Sequence, residues 1–193
     1  MLSFKGEDMK NKYTNFLMMI LTSMAVMFGI KYLTTYEVSH VYWSQTRFYM
    51  LMVMGAAMAV VMLLFMQNMY QNKKANYAII AISALVFSTF LYLTRTQNTI
   101  ADQRWMEAMI PHHSIAILTS KRANIKDIRV QELANGIIKA QEKEIKEMQW
   151  LLDDIEKNGI VTNEQERIER EVPDFSEGQN ILQRIQTTFL RRK

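Results

Sequence analysis

The sequence predicts an all-α protein: three transmembrane helices followed by an exofacial helical hairpin or bundle. Three observations predict it. Three uncharged apolar runs crowd the first 95 residues, most of the charge lies beyond Arg95, and the later segments carry apolar residues at helical spacing. The mean hydropathy of −0.09 therefore averages two unlike halves. Methionine marks the same division, with 13 of 16 in the first 70 residues.

Residues 1–12 carry Lys5, Lys10 and Lys12 and read as a cytoplasmic N-terminus. Residues 13–95 read as a three-helix anchor, with spans at about 13–33, 48–70 and 77–94. A bilayer core takes about 20 mostly apolar residues per helix, and each run is long enough. A cleaved signal peptide is disfavoured, because the first run lacks a small-residue cleavage site and two more spans follow. Basic residues set the orientation. The three N-terminal lysines and the Lys73–Lys74 turn outweigh Lys31 and Arg47 in the first loop and Arg95 and Arg104 after the third span. Positive-inside counting leaves the first loop, with His40, and everything beyond Arg95 on the outer face. For a bacterial cell this is a multi-pass protein of the cytoplasmic membrane with a periplasmic or extracellular C-terminal domain.

Span two carries Met50, Met54, Met58, Met62 and Met66 at four-residue steps. Thioethers in a row suit passage of a soft cation. Methionine is also an adaptable apolar filler, and this spacing simply defines one helix face, so packing is the preferred reading. No Asp, Glu, Lys, Arg or His lies inside the uncharged runs 13–30, 48–72 and 75–94 that make up the spans, which argues against a proton relay or an ion pump. Gly55 and Ala59 form a small-xxx-small pair suited to close helix packing.

Two amphipathic helices are expected next, over about 99–123 and 130–158, with Gly159 as a stop signal. The connection NIKDIR suits an antiparallel hairpin. On the second helix Leu133, Ile137, Ala140, Glu144, Met148, Leu151 and Ile155 alternate four- and three-residue steps, the period of a buried seam. Glu144 then stands inside an apolar stripe beside Gln141, and such a carboxylate needs a partner, water or a metal. The first helix offers Asp102, Trp105, Met106, Met109, His112 and His113. Pro111 is expected to disfavour helical geometry at Ile110 and loosen that turn. Met109 is one turn from either histidine, so it and one imidazole make a soft two-ligand grip that Met148 and Glu144 can complete. Met109, His112, His113, Met148 and Glu144 are therefore the candidate metal ligands, with Asp102, Trp105, Met106 and Gln141 supporting them. Thioether and imidazole favour copper(I) or silver(I), whereas zinc would ask for more histidine or thiolate.

Other classes fit less well. The chain has no cysteine, so disulfides, zinc ribbons and thiol nucleophiles are out. A net charge of +4 is too small and scattered for nucleic acid. A di-iron enzyme would need Glu-x-x-His pairs, but Met109 and Ile110 stand three before the histidines. Ser114 follows the histidines, yet adjacent helical positions do not present a nucleophile to its base, so no hydrolase and no catalytic residue is expected. A structural or interaction module, with the histidines and Glu144 in a non-metal cluster, stays open as the alternative.

The string D-x-x-W-M-x-A-M-I-P-H-H-x-x-A from Asp102 to Ala116, followed by A-Q-E-K-E-I-K-E-M-Q-W-L from Ala140 to Leu151, resembles a bacterial family. It is the one catalogued as domain of unknown function three hundred and five, whose copper-binding periplasmic members are of the CopM type. The resemblance covers roughly residues 99–158. It implies a ferritin-like helical bundle over 96–159 that binds copper or silver through His and Met. Met109, His112, His113 and Met148 stand at matching positions, with Asp102, Gln141 and Glu144 as polar companions and Trp105 where relatives often carry another aromatic. Thr119 departs from the family, which often has methionine there. The three spans resemble a membrane-anchored branch. Metal sequestration, tolerance or hand-off is the implied role.

Residues 160–193 form a charged tail in which Ile181, Ile185 and Phe189 repeat at four-residue steps. That repeat suits an amphipathic helix lying on lipid headgroups or packed on the bundle. A two-helix hairpin buries little alone, so the tail helix or a second chain in a homo-oligomer is expected to complete it.

Overall fold

The computed structural model describes the backbone of residues 2–176 and the side chains of residues 11–176. Among these residues there are six α-helices, one short 3-10 turn and no strand. The helices are α1 (Leu2–Ile30), α2 (Gln45–Phe65), α3 (Lys73–Thr96), α4 (Asp102–Arg122), α5 (Ile128–Asn158) and α6 (Glu164–Glu169). The amphipathic repeat expected at Ile181, Ile185 and Phe189 lies outside the described residues.

The chain divides into two units. The first contains α1, α2 and α3, three helices long and apolar enough to cross a membrane by length and composition. Side-chain caps set two of the starts: Ser44 accepts from the Arg47 N–H at 3.2 Å, and Asn72 accepts from the Ala75 N–H at 3.2 Å. Each cap satisfies one of the orphan donors of a helix N-terminus. At its far end α3 stops on Gln97, which takes a left-handed conformation at φ 54°. The first helix begins well before residue 13, because nothing in the N-terminal stretch but Gly6 resists helix.

α2 is the central helix of this unit, packed on both α1 and α3. Phe16 and Ile20 of α1 bury against Ala59 and Leu63 of α2 and against Tyr70, with Met58, Met62 and Met66 packed around them. Those three methionines act as packing, while Met50 and Met54 are about two-fifths exposed on the outer surface. Tyr13 locks the same end, donating to Asn76 Oδ1 at 2.7 Å. Gly55 permits the close approach of α1. A Cβ there would land on the Met24 thioether, 2.7 Å from its Cε. Met24 is flexible enough to give way to an alanine. Gly55→Leu overfills the contact and is expected to cost about 1–3 kcal/mol. Thermal unfolding in detergent should rank parent, Gly55→Ala, then Gly55→Leu; a leucine variant that melts with the parent would mean that this contact does not hold α1.

The second unit takes α4, α5, α6 and, from the loop between α1 and α2, the strap Thr34–Trp43. α4 and α5 are joined by a short connection and pack on each other along their length. Asp127 caps α5 by accepting from the Arg129 N–H at 2.9 Å, and Gly159 ends it at φ 78°, a conformation glycine enters freely. Two expectations need correcting here. Pro111 does not loosen the turn: α4 runs unbroken through Ile110 and Pro111, both buried. Its missing N–H removes one helical bond, and burial of these two apolar side chains holds the helix regardless. The seam on α5 is also turned by about one position. Ala134, Ile145 and Met148 are buried, whereas Leu133 is 63% exposed and Ile137 37%. Glu144 consequently stands on the flank of the buried stripe rather than in its middle.

The α4–α5 core is Met106, Ile110, Ile117, Ile145 and Met148, with Met109, Leu151, Leu152 and Ile155 against it and Tyr36 and Tyr42 added by the strap. Beyond α5 the chain folds back, and Arg170 grips Asp154 through its guanidinium and also donates to the Gly159 carbonyl at 2.8 Å.

Candidate metal-binding site

The hairpin register decides which candidate side chains meet. His113 Nδ1 lies 3.1 Å from Glu144 Oε2 across the two helices. Met109 is one turn before His113 on α4, and Met148 is one turn after Glu144 on α5. Because the helices run in opposite directions, both steps lead the same way along the hairpin, about 6 Å at 1.5 Å per residue. A methionine pair therefore adjoins the histidine–glutamate pair. Met148 is buried and Met109 and Met106 belong to the same apolar cluster.

The His113–Glu144 contact is close without being a hydrogen bond. Nδ1 is shut from solvent and has no hydrogen-bond partner among the described residues, so the carboxylate oxygen sits near it but out of line. An unpartnered buried polar atom is costly and calls for an explanation. The separation matches two ligands of one ion: donors each about 2.0–2.2 Å from a cation, at an angle near 100°, stand about 3 Å apart. The Glu144 side chain is 47% exposed, so the pair opens to solvent on one side. Among the described residues no three histidine or carboxylate side chains come together, and a further ligand would have to be thioether or water.

The other candidates fall into different places. His112 is exposed, its ring centroid 6.0 Å from that of His113 and tilted by 59°. Trp105 is exposed, and Gln141 is half-buried on α5. Asp102 is away from the histidines. It lines a cavity of about 500 Å³ with Leu151, Asp154, Ile155 and Arg170.

A second cluster was invisible in the sequence. Ser114, fully buried, accepts from the Tyr36 N–H at 2.7 Å, and its Oγ lies 3.0 Å from His40 Nδ1. Glu37 Oε2 is 3.8 Å from the other ring nitrogen of His40. The serine does meet an imidazole, but from a loop 74 residues away rather than from its neighbours. Its hydroxyl is enclosed and already engaged, so it fastens the strap to α4. Lys121 reinforces this fastening: its ammonium sits 4.6 Å from the centre of the Tyr36 ring and 2.7 Å from Glu142 Oε1. That carboxylate holds the lysine above its ordinary range.

Burial pushes His113 below the usual 6.5; Glu144 opposes the shift and His112 adds to it. Burial likewise lowers His40, against the pull of Glu37. Both rings are therefore neutral near pH 7, the form that binds a metal. Since unfolded histidine takes up protons at a higher pH than these two, their stabilising contribution is complete above 6.5 and is lost as pH falls through the depressed folded values. The unfolding temperature of the metal-free protein is expected to drop between about pH 7.5 and about pH 5.5. The His40→Gln/His113→Gln variant should show a flatter profile, and an equally steep one would assign the pH response to other groups.

With this geometry in place, comparison with known proteins identifies the domain. The family model described as "Domain of unknown function (DUF305)" matches residues 90–187. The chain belongs to the DUF305 family. The DUF305 match thus takes in the end of α3, all of α4, α5 and α6, and part of the tail. The chain is also similar to the "Uncharacterized protein L153" of Acanthamoeba polyphaga mimivirus, 37% identical over 109 residues, covering 55% of this chain and 70% of that protein. No solved structure matches the chain significantly.

Proposed function

We propose that this protein is a membrane-anchored, outward-facing soft-metal-binding protein, taking copper(I) or silver(I) for sequestration, tolerance or hand-off. The observation that carries the reading is the buried, unpartnered His113 Nδ1 facing the Glu144 carboxylate. His113 supplies a neutral imidazole nitrogen, and Met109 and Met148 supply thioethers from the adjoining layer. Glu144 completes the charge, with His112 at the exposed rim as the entry or release ligand. Imidazole and thioether together select a soft monovalent ion over calcium or magnesium. The domain is read as a ferritin-like bundle on the resemblance given above.

Placement on the outer face of a bacterial cytoplasmic membrane rests on the basic residues flanking the spans. The strap supports the three-crossing reading. Thr34–Trp43 packs with α4 and α5, so it must share their compartment, and an odd number of crossings with the loop after the first one delivers that arrangement.

The test is a titration of the full chain in detergent with copper(I) against a competing copper(I) chelator. The full chain is needed because a fragment starting at residue 96 would lack the strap. His113→Ala is expected to weaken binding more than tenfold, a loss of about 1.4 kcal/mol or more. Met109→Leu/Met148→Leu should do the same while keeping the fold, since leucine conserves methionine's volume in a core. A parent that binds no more copper than the folded His113→Ala variant would leave the pair as a structural contact.

A further inference from the structure

Two buried side-chain polar atoms have no hydrogen-bond partner among the described residues. His113 Nδ1 belongs to the site above. The other is Nη1 of Arg47, the third residue of α2. An arginine near the end of a span ordinarily carries its charge into water on an apolar stem. Arg47 does not: it is 9% exposed, and its guanidinium carbon lies 5.2 Å from the centre of the Tyr32 ring. The polar groups around it engage one another. The Tyr32 hydroxyl accepts from the Ser44 N–H at 3.3 Å, and Ser44 Oγ accepts from the Arg47 N–H. Thr46 donates to Gln97 Oε1 at 3.1 Å, and the Tyr49 hydroxyl is 2.7 Å from Thr99 Oγ1. These bonds draw the C-terminal ends of α1 and α3 to the start of α2.

Charge points the same way. Lys31, Arg47 and Arg95 share this end of the first unit, and Lys31 is close enough to Arg47 for the two charges to repel. No Asp or Glu occurs in residues 11–33 or 44–101. The unit's only acidic residues, Glu7 and Asp8, belong to the far end of α1, where Asp8 is about 33 Å of helix from Ile30. A buried charge without a partner is costly, so the missing anion comes from outside these three helices.

We propose that Arg47 binds the phosphate of an anionic phospholipid where α1, α2 and α3 meet at the headgroup level. A guanidinium grips phosphate as a two-point fork, and basic pockets between membrane helices take anionic headgroups. Lys31 adds a second positive charge, which favours phosphatidylglycerol over the zwitterionic phosphatidylcholine. Met50 and Met54 follow Arg47 at three- and seven-residue steps, so they share its face of α2. Both are exposed, and they offer adaptable apolar surface to the acyl chains. The proposal rests on the membrane reading of α1, α2 and α3 and is independent of the metal.

The experiment is native mass spectrometry of the full chain in an uncharged detergent. The chain is titrated with dioctanoyl phosphatidylglycerol, dioctanoyl phosphatidylcholine or inorganic phosphate. The expected result is a single phosphatidylglycerol held per chain, about tenfold more weakly in Arg47→Gln, with the other two probes held poorly. Arg95→Gln removes an exposed cation at the same end and should keep the parent's affinity. Circular dichroism checks each fold. If Arg47→Gln does not fold, Arg47→Lys decides: it keeps the charge, loses the fork and should bind more weakly than the parent. Equal binding by the parent and the folded Arg47 variant would place the lipid elsewhere and overturn the proposal. Equal losses from Arg47→Gln and Arg95→Gln would reduce the site to diffuse attraction. Phosphate bound as tightly as the lipid would make the ligand a free anion, and either of these results also overturns the proposal. Alkaline carbonate extraction checks the membrane reading separately: the parent should stay with the membrane, and its release would end that reading and this one together.

Discussion

Ile110→Ala is expected to cost the second unit about 2–5 kcal/mol, the range for removing most of a buried isoleucine side chain. Ile110 is 0% exposed and sits among Met106, Ile117, Ile145 and Met148. Its neighbours are held on two helices that also carry Pro111 and the strap, so they have little freedom to collapse into the space. A domain with about 5–15 kcal/mol of total stability would lose a large share of it. Chemical unfolding of the full chain in mild detergent measures the loss. Trp105→Ala on the same helix provides the contrast, because the larger side chain is 52% exposed and should cost far less. If Ile110→Ala unfolds no earlier than Trp105→Ala, α4 does not meet α5 through this face.

Ser114→Ala should release the strap. One hydroxyl serves two partners, the Tyr36 N–H at 2.7 Å and the His40 ring at 3.0 Å, in a place closed to water. Deleting it leaves both groups without that partner, and an unsatisfied buried donor or acceptor costs about 1–3 kcal/mol. The cost should be local. Limited proteolysis is expected to cut within Thr34–Trp43 much faster in the variant, while α4 and α5 keep their helical content. Unchanged protection of that segment would mean that the tyrosines of the strap hold it without the serine.

Much of the fold was legible because its signals are local. Uncharged runs marked α1, α2 and α3, and Gly159 marked the end of α5 for the reason the structure bears out, a positive φ. The register of the α5 face was less legible. Two apolar stripes share this helix, one against α4 and one bare, and periodicity alone merged Leu133 and Ile137 with Met148 into a single seam. Glu144 drew notice as a charge inside that merged seam. It lies on the flank instead, yet faces His113, since the hairpin register brings the two together whichever side of the stripe Glu144 occupies. The strap could not be read at all. Tyr36, His40 and Ser114 are joined by hydrogen bonds across a long sequence separation, and no local pattern in the strap encodes a partner on α4. Asp102 was grouped with the histidines because it shares their helix, but it stands nearly three turns away, where the chain folds back from α5.

X-ray absorption of the copper(I)-loaded full chain tests the central claim most directly, because it reads the ligand atoms themselves. The expected spectrum contains both a nitrogen or oxygen shell, lost in His113→Ala, and a sulfur shell, lost in Met109→Leu/Met148→Leu. A copper spectrum without sulfur, unchanged by either substitution, would contradict the account and leave His113 and Glu144 as a contact within the hairpin.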